Sequence, residues 1–173
     1  DRITLDHVAH VAEHHEDLLP RYAGDLGGSY LGHGEAIGFS PMQLRFANGA
    51  KVELLRPNQE DRNPFLRRYL DRRGPGLHHA TFKVPDIRAT IAALETAGYS
   101  VVDVDLSQPD WQEAFVHPKS AHGFLVQIAQ VRGDMPERVR PDWVPAPSVP
   151  AASIVRLVLD VTSLDSALGL YCD

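Results

Sequence analysis

A chain of 173 residues with 43% hydrophobic and 23% charged side chains is long enough to bury a core and has an ordinary globular composition. Its net charge of −6, with acids and bases interspersed, excludes a general nucleic-acid binder, and no apolar run approaches a membrane span. No signal-peptide pattern opens it, and Cys172 as the only cysteine leaves no internal disulfide, which points to a reducing cytoplasm.

In chain order, residues 3–11 alternate as a half-buried strand does, with Ile3, Leu5, His7 and Ala9 on one face. Residues 13–23 predict a short amphipathic helix that Pro20 should kink or shorten. Strands are expected at 29–34 and 42–47, and Asn48-Gly49 is a hairpin turn leading into Lys51-Val52-Glu53-Leu54-Leu55. Asn63 then caps a helix with Pro64 at its first position, and Gly74-Pro75-Gly76 ends it. The stretch Leu77-His78-His79-Ala80-Thr81-Phe82-Lys83-Val84 reads as a second histidine-bearing strand. Asp86 caps the next helix, Ile87, Ile91 and Leu94 form its apolar stripe, and Gly98 stops it. Strands are expected near 99–105, 112–117 and 123–129, with a turn at His117-Pro118-Lys119-Ser120.

The order of elements therefore repeats. Each copy opens with a histidine strand and closes with an apolar strand holding one polar residue, Glu53 in the first and Gln127 in the second. We expect a module over 1–131 and a proline-rich linker over 132–150 carrying Pro136, Pro141, Pro145, Pro147 and Pro150. Residues 151–173 resemble the opening strand, at Ile154–Val161, and helix, at Ser166–Tyr171, of a further module. A strand and helix alone cannot bury their apolar faces, so this piece is expected to belong to a longer parent or to dock elsewhere.

Two imidazoles, one carboxylate and one carboxamide suit a borderline divalent ion such as Zn, Fe, Co, Ni or Mn. A lone strand histidine is usually a packed or surface residue, but His7, Glu53, His79 and Gln127 fall at duplicated positions, which favours a shared metal. His10 and His78 are expected to point to the opposite or next position. His14 and His15 are expected on a solvated helix face, and His33, His117 and His122 in loops. The arginines Arg67, Arg68, Arg72 and Arg73 read first as a solvated helix face, and second as a collector of anionic substrate.

Leu5-Asp6-His7-Val8-Ala9, Lys51-Val52-Glu53-Leu54-Leu55-Arg56-Pro57, Gly76-Leu77-His78-His79, Phe115-Val116-His117-Pro118-Lys119 and Gly123-Phe124-Leu125-Val126-Gln127 together resemble the vicinal oxygen chelate superfamily. That group includes glyoxalase I, extradiol dioxygenases, bleomycin-resistance proteins and methylmalonyl-CoA epimerase, and the likeness over about 3–130 is strongest to the epimerase branch. The resemblance implies an α+β fold, with paired βαβββ units forming a curled mixed sheet around a metal-floored cleft. It places the four ligand positions on His7, Glu53, His79 and Gln127, the residues the repeat had singled out.

It also implies a metal-dependent isomerase or lyase that binds a small oxo-acid or thioester and stabilises an enediolate. Glu53 and Gln127 are then the expected catalytic residues, and Gln43, Lys119 and Trp111 the expected substrate contacts. Two departures matter. The fourth ligand is usually glutamate in such relatives and here is Gln127, and the epimerase's additional acid–base glutamate falls in Met42-Gln43-Leu44-Arg45, which holds no carboxylate. Glu53, Glu35, Glu113 or a bound hydroxide is left as the base. The alternatives are a metal-dependent dioxygenase, against which Gln127 counts, and a non-catalytic resistance-type binding module. The expected partner is a small molecule, with no nucleic acid or membrane, and with pairing either to a second copy or to a second module.

Overall fold

The computed structural model describes residues 2–133 and 138–172. Pro136 of the expected linker lies outside the described residues. The fold is α+β and consists of two βαβββ units. The described residues of the first unit come from His7–His78 and Met135–Val155, and those of the second from Asp1–Asp6, His79–Asp134 and Arg156–Asp173.

In the first unit, strands β1 (Thr4–Val11), β2 (Ser29–His33), β3 (Gly38–Arg45) and β4 (Lys51–Asn58) pair in the order β2-β3-β4-β1. β4 runs antiparallel to β3 and parallel to β1. The expected hairpin forms, and Gly49 takes φ +80°, a conformation that glycine adopts without steric cost. The helix expected over 13–23 is instead a 3₁₀ turn at His15–Asp17 followed by a π-helical stretch at Pro20–Asp25. Pro20 has no N–H to donate, so an α-helical ladder begun before it cannot run through it. Helix α1 (Phe65–Arg73) starts later than expected, with Pro64 rather than Asn63 at the cap position.

Met42, Leu44, Val52 and Leu54 pack one face of β3 and β4 against Ala12, Leu19 and Ala23. Ala9, Val11 and Leu55 pack against Leu66 and Leu70 of α1. β1 does not alternate as expected: Asp6, His7, Val8 and Ala9 are all buried, while Ile3 and Leu5 are exposed. A strand in parallel pairing is commonly covered on both faces, which erases the period of two.

The proline-rich stretch does not hang free. It lies as a strap on the first unit, with Val144 fully buried in the β3–β4 core beside Ala152 and Ile154. Ala47 N–H donates to Ala152 O (2.9 Å), Ala152 N–H to Leu26 O (2.8 Å), and Asn48 Nδ2 to Ile154 O (2.7 Å). Gly27, at φ +66°, lies beneath it, and a Cβ there would come within 2.6 Å of Val149 O.

In the second unit, strands β5 (Gly76–Lys83), β6 (Val101–Asp105), β7 (Trp111–Val116) and β8 (Leu125–Val131) pair in the order β5-β8-β7-β6. Helix α2 (Ile87–Thr96) is capped as expected, Asp86 Oδ1 accepting from Ala89 N–H at 3.0 Å. Ile87 and the half-buried Ile91 and Leu94 cover Val84, Ala114 and Ile128. Buried Asp6 pairs with Lys83 Nζ at 2.9 Å. The strand expected over 154–161 is a correction: these residues pair with no strand, and only the helix of that piece forms, as α3 (Leu164–Tyr171). Leu170 and Tyr171 of α3 pack against Val116, Ala121 and Val126.

Candidate metal centre

The two units use one strand register. In the first, parallel β1 and β4 pair His7 with Lys51 and Ala9 with Glu53. In the second, parallel β5 and β8 pair His79 with Leu125 and Thr81 with Gln127. Side chains two residues apart share a strand face. Each histidine therefore shares its face with the oxygen donor of the neighbouring strand, once per unit.

In the first unit, His7 is 2% exposed and its Nε2 stands 3.5 Å from Glu53 Oε2. Gln43 lies directly across β3 from Glu53 and donates Nε2–H to Glu53 Oε1 at 3.1 Å. Glu53 is only 13% exposed and does not face solvent, the arrangement that would have removed it from a metal site. Gln43, expected to meet substrate, thus holds the carboxylate. His78 points away from this set, edge-on to Tyr69 and Phe65 with centroids 4.9 and 6.1 Å away. Burial pushes its pKa down to about 4, with the Glu53 charge opposing the shift, so His78 is a neutral packed ring at pH 7.

In the second unit, His79 is buried on β5, its ring edge-on to Phe115 at 6.2 Å. Thr81 Oγ1 donates to Gln127 Oε1. Gln127 Nε2 donates to Glu113 Oε2 at 2.6 Å, and Trp111 Nε1 donates to the same oxygen. Trp111, expected at the substrate, is therefore part of the support behind Gln127. Lys119, also expected there, is exposed in the 117–120 turn and takes no part in this network. Neither Thr81 nor the bracing role of Glu113 belongs to the repeated histidine-and-oxygen pattern. The signal for Thr81 was its position, since the first copy has Ala9 there and so has no hydroxyl to offer.

Within the first unit, His7 and Glu53 bring an imidazole nitrogen and a carboxylate oxygen within 3.5 Å, two donors of the kind that hold a metal ion. Three further side chains make structural contacts. Glu35 accepts from Arg56, Ser40 and Asn58, so its carboxylate is already occupied. Arg67 is tied to Glu13 and Glu60, which makes it a helix-face ion pair rather than a collector of anions. His15 is not on a solvated face: it is buried, its Nε2 bonds Ser40 O at 2.9 Å, and its ring stacks on Trp143.

Two βαβββ units, each pairing a strand histidine with a strand-borne oxygen donor, are the architecture of the vicinal oxygen chelate fold. The profile of the glyoxalase/bleomycin resistance protein/dioxygenase superfamily matches residues 6–115, and the chain belongs to that superfamily. An uncharacterized Bacillus subtilis protein, YqjC, is 28% identical over 134 residues, spanning 75% of this chain and 94% of its own. The crystal structure of hypothetical protein BH1468 from Bacillus halodurans superposes with a TM-score of 0.69 at 27% identity, over 78% of this chain and 98% of that one. Methylmalonyl-CoA epimerase from Mycobacterium tuberculosis superposes with a TM-score of 0.66 at 24% identity, over 75% and 88% of the two chains, a likeness of fold. Among the described residues, no helix is long and apolar enough to cross a membrane.

Proposed function

We propose that the protein is a metal-dependent isomerase or lyase of the epimerase or glyoxalase type. His7, Glu53, His79 and Gln127 hold one divalent cation, and the substrate is a small oxo-acid or an acyl thioester. The reading rests on the shared register, which presents one imidazole and one oxygen donor per unit. The donor chemistry fits: two imidazoles and two oxygens suit a borderline divalent ion. That Gln127 Nε2 donates to Glu113 while Oε1 accepts from Thr81 supports the carbonyl oxygen, rather than the nitrogen, as the donor.

When bound, the cation supplies Lewis acidity that stabilises negative charge developing on a substrate oxygen. The chain's own residues do the rest. Gln43 keeps the Glu53 carboxylate in place, and Thr81 and Glu113 do the same for the Gln127 carboxamide. Glu113 is the acid–base group we assign in place of the carboxylate missing from 42–45, because Gln127 and Trp111 both donate to its Oε2 alone, whereas both oxygens of Glu35 accept, Oε1 from Arg56 and Oε2 from Ser40 and Asn58. A carboxamide as the fourth donor sets the dioxygenase reading below this one. The single cysteine agrees with a cytoplasmic setting.

The test combines metal content with proton exchange. Purified wild-type protein should carry about one equivalent of divalent metal by elemental analysis, and His7→Ala and His79→Ala should carry little. With methylmalonyl-CoA in D₂O, metal-loaded protein should speed α-proton exchange, read by NMR, and His79→Ala should reduce the rate at least ~100-fold. Equal metal in wild type and His7→Ala would remove the site. Normal metal with no exchange on this thioester, or on a panel of 2-oxo-acids, would leave a binding module instead of an enzyme.

A further inference from the structure

The first unit contains a cavity of about 200 Å³ that none of the sequence motifs anticipated. Glu53 and Gln43 line one part of it, and Gly32, His33 and Arg138 another. Arg138 comes from the strap, beyond the 6–115 span of the superfamily match. Its position is fixed at both ends: the backbone N–H donates to Leu31 O at 2.9 Å, and Nη1 donates to His33 O at 3.0 Å. Between these anchors the aliphatic stem passes beside Gly32, where a Cβ would meet it only in ordinary van der Waals contact, at 3.5 Å from Cδ.

The guanidinium has five N–H donors, and the bond to His33 O uses one. Arg56 and Arg67 are bound to carboxylates, but among the described residues Arg138 is paired with none. A planar fork with spare donors, lining a small cavity, is built for a carboxylate. Glu53 lines the same cavity and would repel that anion unless its own charge were engaged, as it is when it serves as a metal ligand.

We infer that Arg138 forms a carboxylate-binding subsite, so that the protein selects metal-chelating acids bearing a second carboxylate over analogues with an uncharged tail. The inference rests on the proposed metal site only for the chelating head of the ligand. The distal carboxylate depends on Arg138 alone.

The experiment compares two probes with the same head and chain length, 2-oxoglutarate and 2-oxopentanoate, titrated calorimetrically into Co²⁺-loaded protein. Wild type should prefer 2-oxoglutarate by ~10–100-fold, the range of a hydrogen bond to a charged group. Arg138→Gln should bring the two within about 2-fold by weakening 2-oxoglutarate alone, and Arg138→Lys should keep part of the preference. Equal affinities in wild type overturn the subsite while leaving the metal reading intact, and this comparison decides even if Arg138→Gln does not fold. If the protein takes up no metal, the reading under Proposed function fails by itself. The subsite is then judged by NMR, with glutarate titrated into a metal-free Glu53→Gln variant: a saturating shift of the Arg138 Nε–H resonance supports it, and an unmoved resonance overturns it.

Discussion

Gln127 donates its amide N–H to Glu113 at 2.6 Å, and this bond decides which end of the carboxamide faces Glu113 and which is left for Thr81. A carboxylate only accepts, so it compels the amide nitrogen to turn toward it. The carbonyl oxygen is left to accept from Thr81 and to offer its second lone pair. Glu113 thus does for Gln127 what Gln43 does for Glu53 in the other unit: each oxygen donor has a side chain from the adjacent antiparallel strand holding it.

Replacing Glu113 with glutamine removes that compulsion, because an amide partner can donate or accept. Metal affinity, read by competition with a chromogenic chelator, should fall about 10-fold or more, as it does when an outer partner of a ligand is lost. Thermal stability should move little. An unchanged affinity would show that the amide orientation does not depend on Glu113.

Gln43→Glu puts a second carboxylate where an amide now donates to Glu53 at 3.1 Å. Like charges at that range repel, and without metal the melting temperature should drop by about 2–6 °C, equivalent to ~1–2 kcal/mol. A divalent cation should recover most of the loss. A drop that metal leaves untouched would mean that the pair is structural only.

His15 carries a pH dependence with a definite sign. Burial lowers its pKa below the ordinary 6.5, although the Ser40 carbonyl opposes the shift. The unfolded chain therefore takes up a proton near pH 6.5 that the folded chain still refuses. Stability is fully present above that pH and is lost as pH falls from 6.5 toward the lowered folded value, at up to about 1.4 kcal/mol per pH unit. His10, also lowered by burial, adds to the same trend. Urea midpoints measured from pH 7.5 to 5 should fall, and His15→Gln should flatten the slope. An equally steep profile in the variant would assign the effect elsewhere.

Gly27→Ala tests the docking of the strap. A methyl group at φ +66° is strained, and its carbon would come within 2.6 Å of Val149 O and 2.7 Å of Pro150 O, both backbone atoms. We expect a loss of about 1–3 kcal/mol by chemical denaturation. Limited proteolysis should then cut within 138–155 faster than in wild type. Unchanged cleavage would indicate that the strap holds without Gly27.

The sequence alone determined the parts that repeat. Its duplicated strands marked His7, Glu53, His79 and Gln127, and Gly49, Asp86 and Gly98 marked turn, cap and stop, because each signal lies within a few residues of its effect. Tertiary structure decided the rest. It buried Asp6, His7, Val8 and Ala9 together, since a strand covered on both faces loses its alternation. It left 154–161 without a strand partner and laid the proline-rich stretch down as a strap that brings Arg138 to the cavity of Glu53. It also set Glu113 and Trp111 behind Gln127. These are contacts between residues far apart in the chain, chosen by which surfaces pack and which donors lack acceptors, and no local pattern records them.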